Sequence, residues 1–388
     1  MRIRPTFCYC FVSLLSACAA GCGSANHAGT IAANPDASAT SPGAPAYAFF
    51  GYAGSASSSA GLEEFVMDAN GSISNLPGTT LKGSPAGITS NTSYLFVADE
   101  DDQSIDAFRI SSSALTPAAA TSTARQGYPV WLFTDRTGKT LYSWGGSGTT
   151  TFASWSIGAN GALKLINQVK ASINGPWPQA QLSFSGNNDY AYGSTCLNDA
   201  PVFYGFARSS SGALAPFNTE ASSPAGAEGN VWRPFGAAAN GHGFVVIGMT
   251  PSQSSAGSLL AVYAIQSNGT LVRRSTRTLP VSAQFLSAYA FDLTGSWLAA
   301  GDGAGLHLYH FANGTLNLSD SASIQGGVQQ IEWDDNGNVY WLGQACCGSF
   351  AVYNVSSSGQ LTESSAASNF APDDPGGEGG TYMQVQPM

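Results

Sequence analysis

A short polar turn recurs seven times along this chain and constrains its fold more than any other feature of the sequence. Each copy combines small polar residues with a glycine or alanine and then a leucine or isoleucine; the copies centre on Gly71, Ala114, Gly161, Gly212, Gly269, Gly314 and Gly359. Asn-Gly and Ser-Gly between apolar runs are strong signals of a tight hairpin, because glycine accepts the positive φ that such turns need. The sequence therefore predicts seven similar hairpins at spacings of 43 to 57 residues.

A second repeat lies out of phase with the first and consists of a polar turn followed by a short aromatic and aliphatic strand, as in Asp135–Tyr142. Six copies have an apolar strand before the turn, whereas the strand at Tyr47–Tyr52 has none. Tyr382–Gln386, at the other end of the chain, has the pattern of the missing strand. We therefore predict an all-β, seven-bladed β-propeller of four-stranded blades over residues 45–388. The N- and C-terminal strands complete one blade and close the ring, which removes open sheet edges.

The order of inner strand, turn with Asp or Asn and Gly, Leu-Tyr strand and Asn-Gly-x-Leu turn resembles the lactonase-type seven-bladed propeller family. Asp135–Tyr142 and Asn268–Leu271 carry this pattern. The family includes bacterial 6-phosphogluconolactonase and the carboxymuconate-lactonising enzyme. The resemblance covers residues 45–388, but its motif specifies turns, so it implies a fold more directly than an activity.

Two segments depart from what the resemblance implies for an active lactonase. A His-x-His segment is expected before one inner strand, where Gly175–Gln181 has no histidine. A Pro-Arg-His segment is expected before another, where Arg233 is retained and Pro234 replaces the histidine. Opening a lactone needs a group that activates water and a group that stabilises the oxyanion. The leading prediction is therefore a module that binds a glycan, a metabolite or a partner protein.

The alternative is a lactone hydrolase in which Glu332, or a metal-bound water, acts together with Arg233 as the oxyanion partner. Glu332 is the best placed carboxylate on the predicted inner strands. The sequence leaves open whether the protein is an enzyme.

A ligand site is predicted where Trp177, Trp232 and Arg233 converge at one end of the central channel. The two tryptophans head corresponding segments of successive blades, and a Trp face beside a guanidinium suits an acidic sugar or a carboxylated ring. Gln181 and Gln330 on inner strands are expected to approach the same channel. The competing interpretation is that the Trp and Arg side chains only pack blades together.

No metal ion or other cofactor is predicted. His307 and His310 stand three residues apart in an alternating strand, which places them on opposite faces and makes them poor metal partners. The acidic run at 99–102 lacks the spaced ligands of a calcium loop and indicates a solvated loop.

The N-terminal segment predicts export and lipid anchoring. Arg2 and Arg4 precede an apolar run and then small residues, which is the order of a signal peptide. Leu15–Cys18 resembles a lipobox, so we predict a signal peptide at 1–17, acylation at Cys18 and a flexible tether at 18–44; Cys22 is the alternative acylation site. Because Ala follows Cys18, the resemblance implies an outer-membrane anchor if the host is Gram-negative, with the domain facing the periplasm or the cell surface.

The cysteines and the net charge limit which disulfides and which partners are expected. In an oxidising compartment a vicinal Cys346–Cys347 disulfide is slightly preferred, with a link that involves Cys196 as the alternative. The chain has 14 basic and 24 acidic residues, and it lacks the clustered Lys and Arg that phosphate backbones require, so nucleic acid is not an expected partner. We expect a monomer whose partners are the membrane, through lipid, and a small acidic sugar, a lactone or an envelope protein.

Overall fold

The regular structure of the protein is entirely β in the part of the chain that the structure describes. The computed structural model describes residues 46–52, 60–68, 72–83, 85–99, 101–111, 114–125, 129–145, 151–170, 182–197, 200–217, 232–251, 258–279, 286–324, 328–343, 349–368 and 382–387. These residues form seven four-stranded antiparallel sheets arranged as the blades of a ring. The predicted seven-bladed propeller is therefore confirmed. Within these ranges, no helix is long and apolar enough to cross a membrane.

The strands of each blade are given from the channel outward. Blade 1 contains β28 (Tyr382–Pro387), β1 (Ala46–Tyr52), β2 (Gly61–Met67) and β3 (Ile73–Thr80). Blade 2 contains β4 (Pro85–Ser90), β5 (Tyr94–Asp99), β6 (Ser104–Ile110) and β7 (Leu115–Ser122). Blade 3 contains β8 (Pro129–Thr134), β9 (Thr140–Gly145), β10 (Thr151–Ile157) and β11 (Leu163–Lys170). Blade 4 contains β12 (Ser183–Phe184), β13 (Tyr190–Leu197), β14 (Ala200–Arg208) and β15 (Leu214–Phe217).

The remaining three blades follow the same order. Blade 5 contains β16 (Trp232–Ala239), β17 (Phe244–Pro251), β18 (Leu259–Ile265) and β19 (Leu271–Thr278). Blade 6 contains β20 (Leu286–Phe291), β21 (Trp297–Asp302), β22 (Gly305–Ala312) and β23 (Thr315–Ser323). Blade 7 contains β24 (Val328–Trp333), β25 (Asn338–Gly343), β26 (Ser349–Val355) and β27 (Leu361–Ser368).

The two ends of the chain close the ring in blade 1. The last strand, β28, pairs antiparallel with the first, β1, from Gly51 opposite Tyr382 to Ala46 opposite Pro387. The backbone groups at the inner edge of β1 are therefore paired, and the predicted closure by the terminal strands is confirmed.

The middle strands of each blade are apolar on both faces because a neighbouring blade covers each face. The third strand of blade 5, β18, reads LLAVYAI and is buried along almost its whole length. Leu260 and Val262 of this strand pack in one core cluster with Tyr289 and Tyr309 of blade 6. The outermost strands are largely exposed and polar, as in β19. The hydrophobic core is thus divided into layers, each of which lies between two neighbouring blades. The apolar side chains of a layer are buried only when both blades are folded.

The two repeated turns lie on the same side of the ring, which we call the turn face. Turns between the innermost and second strands touch their neighbours around the channel: Asn91 Nδ2 donates to the carbonyl oxygen of Gly138 at 2.8 Å. His242 Nε2 likewise donates to the carbonyl oxygen of Thr294 at 2.8 Å. The opposite ends of the strands lie on the other side of the ring, which we call the loop face.

Candidate functional site

The central channel is lined by the innermost strands, and polar side chains link these strands to one another. The Gln330 amide of β24 bridges to β28: its Nε2 donates to the carbonyl oxygen of Met383 at 2.6 Å, and the Met383 N–H donates to its Oε1 at 2.9 Å. Gln330 is therefore buried and bonded at both ends of its amide. Gln330 lies on an innermost strand, and its contacts join blade 7 to blade 1. Its part in ligand binding stays a prediction.

Further links of the same kind continue around the ring. Ser90 Oγ of β4 donates to Gln386 Oε1 of β28 at 2.7 Å. Thr134 Oγ1 of β8 donates to the carbonyl oxygen of Ser90 at 3.1 Å. Between blades 4 and 5, the Ala239 N–H donates to Ser183 Oγ at 2.8 Å. The inner edge of an innermost strand has no further strand to pair with. Hydroxyl and amide side chains therefore form hydrogen bonds there with groups of the neighbouring blade.

Glu332 is a carboxyl group buried beside this set of links. It is 1% exposed, and its Oε1 accepts a hydrogen bond from Gln330 Nε2 at 3.3 Å. No cation pairs with it among the described residues. Burial raises the pKa of Glu332 well above its usual value, and the bond from Gln330 opposes that rise. Burial thus favours the protonated form of this carboxyl group.

The strand registers place Arg233 and Glu332 at different levels of the channel. Arg233 is opposite Thr250, six residues along β17 from Phe244. Glu332 is opposite Tyr340, two residues along β25 from Asn338, the residue equivalent to Phe244. The difference of four residues corresponds to roughly 13 Å along a strand. Arg233 thus lies toward the loop face, and Glu332 lies toward the turn face.

The remaining predicted ligand residues lie at the loop-face end or outside the described ranges. Trp232 and Arg233 are the first two residues of β16, so their backbones stand where the innermost strand of blade 5 begins. Trp177 and Gln181 fall outside the described residues. Their convergence on one ligand stays a prediction.

The lipidation and disulfide predictions also concern residues outside the described ranges. Cys18, Cys22, Cys346 and Cys347 all fall there. Cys196 lies within β13, opposite Pro201 of β14. Its position in the strand is toward the loop face. In the described ranges, no three His, Cys, Asp or Glu side chains are grouped to hold a metal ion.

A second polar cluster, not predicted from the sequence, lies on blade 6 away from the channel. It consists of Asp302, His307 and Ser321. His307 Nε2 is 2.9 Å from Asp302 Oδ2, and His307 Nδ1 is 2.8 Å from Ser321 Oγ. From the sequence, His307 was expected only to be a poor metal partner of His310. The pairing of the three strands is the signal that identifies the cluster. His307 stands opposite Ser321 on one side and opposite Ala300, two residues before Asp302, on the other.

Comparison with known proteins supports the resemblance inferred from the repeats. Residues 50–183, about a third of the chain, match the family model described as "Lactonase, 7-bladed beta-propeller". No curated protein matches the sequence.

Solved structures share the fold over most of the chain. A candidate 6-phosphogluconolactonase of Bacteroides uniformis aligns with a TM-score of 0.63 at 15% identity, covering 82% of this chain and 95% of its own. The periplasmic gluconolactonase PpgL of Pseudomonas aeruginosa aligns with a TM-score of 0.61 at 16% identity, covering 88% and 99%. A protein of unknown function from Desulfotomaculum acetoxidans aligns with a TM-score of 0.60 at 13% identity, covering 82% and 98%.

Identities this low establish the fold and leave the activity open. The chain is therefore a seven-bladed propeller that resembles the lactonase family, in its fold around the whole ring and in its sequence over residues 50–183.

Proposed function

We propose that this protein is a lipid-anchored envelope propeller that binds a small acidic sugar or a carboxylated ring at the loop-face mouth of its channel. The observation that carries the proposal is the Trp232-Arg233 pair at the first two positions of β16. Ligands favour concave mouths where a few polar groups stand among aromatic walls. A guanidinium binds a carboxylate with two parallel hydrogen bonds, and an indole supplies area for stacking against a sugar ring.

Composition adds support, because the chain has only 14 Lys and Arg residues in 388. A cation at the channel mouth of an acidic protein is suited to an anionic ligand. The histidines that the family resemblance implies for lactone opening are absent at Gly175–Gln181 and at Pro234. These replacements favour binding over catalysis at this mouth.

The proposal is tested by calorimetric titration of the purified mature protein with gluconate, 6-phosphogluconate and galacturonate. Arg233→Gln should weaken binding of the preferred anion by about 10- to 100-fold, the value of a charge-assisted contact. Lys164→Gln, which removes an exposed cation on the outermost strand of blade 3, is the matched control and should bind as the wild type does. Absence of binding to all three sugar acids, or equal affinity of the Arg233 variant, would refute the proposal.

The second candidate function is lactone hydrolysis, favoured by the fold shared with the gluconolactonase of P. aeruginosa. The chemistry would need an acid or base near the ligand, and Glu332 lies about four residues further toward the turn face than Arg233. Hydrolysis of 6-phosphogluconolactone and glucono-1,5-lactone should be followed after subtraction of the spontaneous rate, with and without divalent metal. Turnover that is lost in both Arg233→Gln and Glu332→Gln would replace the binding proposal with this one.

Anchoring at Cys18 is the part of the proposal that concerns cellular address. Cys18→Ser should abolish incorporation of a palmitate analogue and release the protein from the membrane fraction, because acylation of that thiol provides the anchor. Cys22→Ser is the matched control and should remain membrane-bound. The opposite result for the two variants would assign the lipid to Cys22.

A further inference from the structure

From the geometry of blade 6 we infer a second, catalytic site: Ser321, His307 and Asp302 form a nucleophilic triad that hydrolyses anionic carboxylic esters. The site is independent of the channel, because its three residues lie on β21, β22 and β23, the second to fourth strands of the blade. Side chains opposite one another on paired strands point to the same face. His307 and Ser321 are such a pair, on the face of blade 6 that packs toward blade 5.

Asp302 is held in one orientation by the turn that joins β21 to β22. Its Oδ1 accepts the N–H groups of Ala304 at 2.7 Å and of Gly305 at 3.0 Å. Gly305 has a φ of 153°, and a Cβ at that position would lie 2.1 Å from the carbonyl oxygen of Ala322. Only glycine fits this position. With Oδ1 held by the turn, Oδ2 of Asp302 is directed at His307. The Asp302 side chain is 0% exposed and that of His307 is 8% exposed.

These contacts determine which imidazole nitrogen carries the proton. Asp302 already accepts two backbone N–H groups, so it acts as an acceptor toward His307 as well, and Nε2 must donate. In the neutral ring Nδ1 then has a free lone pair and accepts the hydrogen bond from Ser321 Oγ. A serine hydroxyl bonded to a basic imidazole that a buried carboxylate orients is the arrangement that activates serine for acyl transfer. In the familiar Ser-His-Asp triad the carboxylate contacts Nδ1 and the serine contacts Nε2, and here the two contacts are exchanged. The carboxylate still orients the ring, and the other ring nitrogen still accepts the serine proton.

Ser321 is exposed, in contrast to its two supporting residues. The row of hydrogen bonds therefore runs from a buried carboxylate and imidazole to a residue at the protein surface.

The neighbouring strand of blade 5 indicates the charge of the substrate. Two arginines of β19 lie on the side of blade 5 that faces blade 6: Arg274 lies against the turn at Gly314, and Arg277 acts on Tyr309. Burial raises the pKa of Tyr309 on β22, whereas Arg277 lowers it and Asp302 raises it, so both charges act on the same hydroxyl. Arg277 thus stands across the blade interface from the triad, where it can stabilise negative charge on a substrate or on a developing oxyanion. An ester that carries a carboxylate fits this surface.

The reaction follows from the arrangement. Ser321 Oγ adds to the ester carbonyl while its proton passes to Nδ1 of His307, and the resulting imidazolium is stabilised by Asp302. The bond from the acyl carbon to the alcohol oxygen breaks, and the alcohol leaves with the proton from Nδ1. Water then attacks the acyl–serine ester with the same proton transfers, which releases the carboxylic acid and restores Ser321.

The test is covalent labelling of the full mature protein with a fluorophosphonate probe, followed by peptide mapping, together with hydrolysis of a 4-methylumbelliferyl hemisuccinate ester. We expect label on Ser321 and hydrolysis that falls by at least ~100-fold in Ser321→Ala and in Asp302→Asn, which favours the wrong tautomer. Ser323→Ala, two residues along the same strand, is the matched control and should label and turn over as the wild type does. Arg277→Gln should slow the hemisuccinate ester more than the uncharged acetate ester.

Thermal melting of each variant separates a loss of chemistry from a loss of fold. Ser321 is exposed, so Ser321→Ala should melt with the wild type. Labelling that persists in Ser321→Ala, or an unlabelled wild-type protein without ester hydrolysis, would overturn the inference. Arg233→Gln should leave labelling unchanged, so the channel proposal and this one can fail separately.

Discussion

Glu332 shows how a single residue gives the stability of the ring a dependence on pH. Its carboxyl group is buried next to Gln330, and burial raises its pKa well above the usual value. In the unfolded chain the same group returns to that usual value. The folded state therefore binds a proton over a pH range in which the unfolded state does not, and stability is linked to pH through this difference.

The first prediction concerns Glu332→Gln. Below the usual pKa of 4.5 the carboxyl is protonated in both states and the stability it contributes is fully present. As pH rises from there through the raised folded pKa, wild-type stability falls by about 1.4 kcal/mol for each pH unit by which folding raises the pKa. The variant lacks this loss. It should match the wild type near pH 4 and be the more stable protein near pH 7.

Free energies of unfolding from urea titrations at several pH values measure this difference. Glu363→Gln, at an exposed carboxyl on β27, is the control and should follow the wild-type curve. A Glu332→Gln variant that is less stable than the wild type at pH 7 would show that the carboxyl is ionised and stabilising in the folded ring.

At the scale of the strand and turn, the repeated glycines have two separate tasks. Gly337 and Gly359 both adopt positive φ, as the hairpins require, but only Gly359 also lies against another blade. Gly337 and Gly359 share a φ of 77°. A Cβ on Gly337 would meet nothing within 4 Å, whereas one on Gly359 would lie 2.3 Å from Trp297 Cη2 and from Ser319 Oγ of blade 6. The pair separates backbone conformation from contact between blades.

The second prediction compares Gly337→Ala with Gly359→Ala. Both should lose about 1–2 kcal/mol because alanine is strained in the left-handed region. Gly359→Ala should lose a further ~1–3 kcal/mol because its methyl group displaces the Trp297 ring. Urea unfolding of the two variants gives the difference directly. Equal losses would mean that Trp297 yields without cost and that the outer turns do not fix the spacing of the blades.

At the scale of the whole molecule, stability depends on closure of the ring in blade 1. Met383 and Val385 of β28 are at most 1% exposed and pack with Leu342, Phe350 and Val352 of blade 7. The same strand is held to blade 7 by the Gln330 amide. The last strand therefore completes a sheet and an interface between blades at once.

The third prediction concerns removal of residues 382–388. The truncation exposes the inner edge of β1 and removes two buried apolar side chains, each worth about 1.5–3 kcal/mol, along with their backbone pairing. Since a domain is stable by only ~5–15 kcal/mol, the truncated protein should melt at a much lower temperature and associate through the open edge. Deletion of Met388 alone is the control. Size-exclusion chromatography and thermal melting measure both effects, and a truncated protein that stays monomeric with wild-type melting would contradict closure as the stabilising event.

The sequence by itself determined the class of fold, the number of blades, the order of strands and the closure of the ring. These features follow from local chemistry: Asn-Gly and Ser-Gly turns need positive φ, and Gly161, Gly212 and Gly269 adopt it. The unpaired strand at Tyr47–Tyr52 and the surplus strand at Tyr382–Gln386 complement each other, and β1 and β28 pair as that pattern requires.

Only the tertiary structure decided which polar residues become buried and which ones meet. Glu332 stood out in the sequence as a carboxylate on an inner strand, but its burial beside Gln330 and the level that separates it from Arg233 depend on how strands register across different blades. Asp302, His307 and Ser321 are far enough apart in the chain that no linear motif joins them. Their contact results from two hairpins that place one residue of each strand in a single row. The register of paired strands determines that row, and residue spacing within one strand does not specify the register.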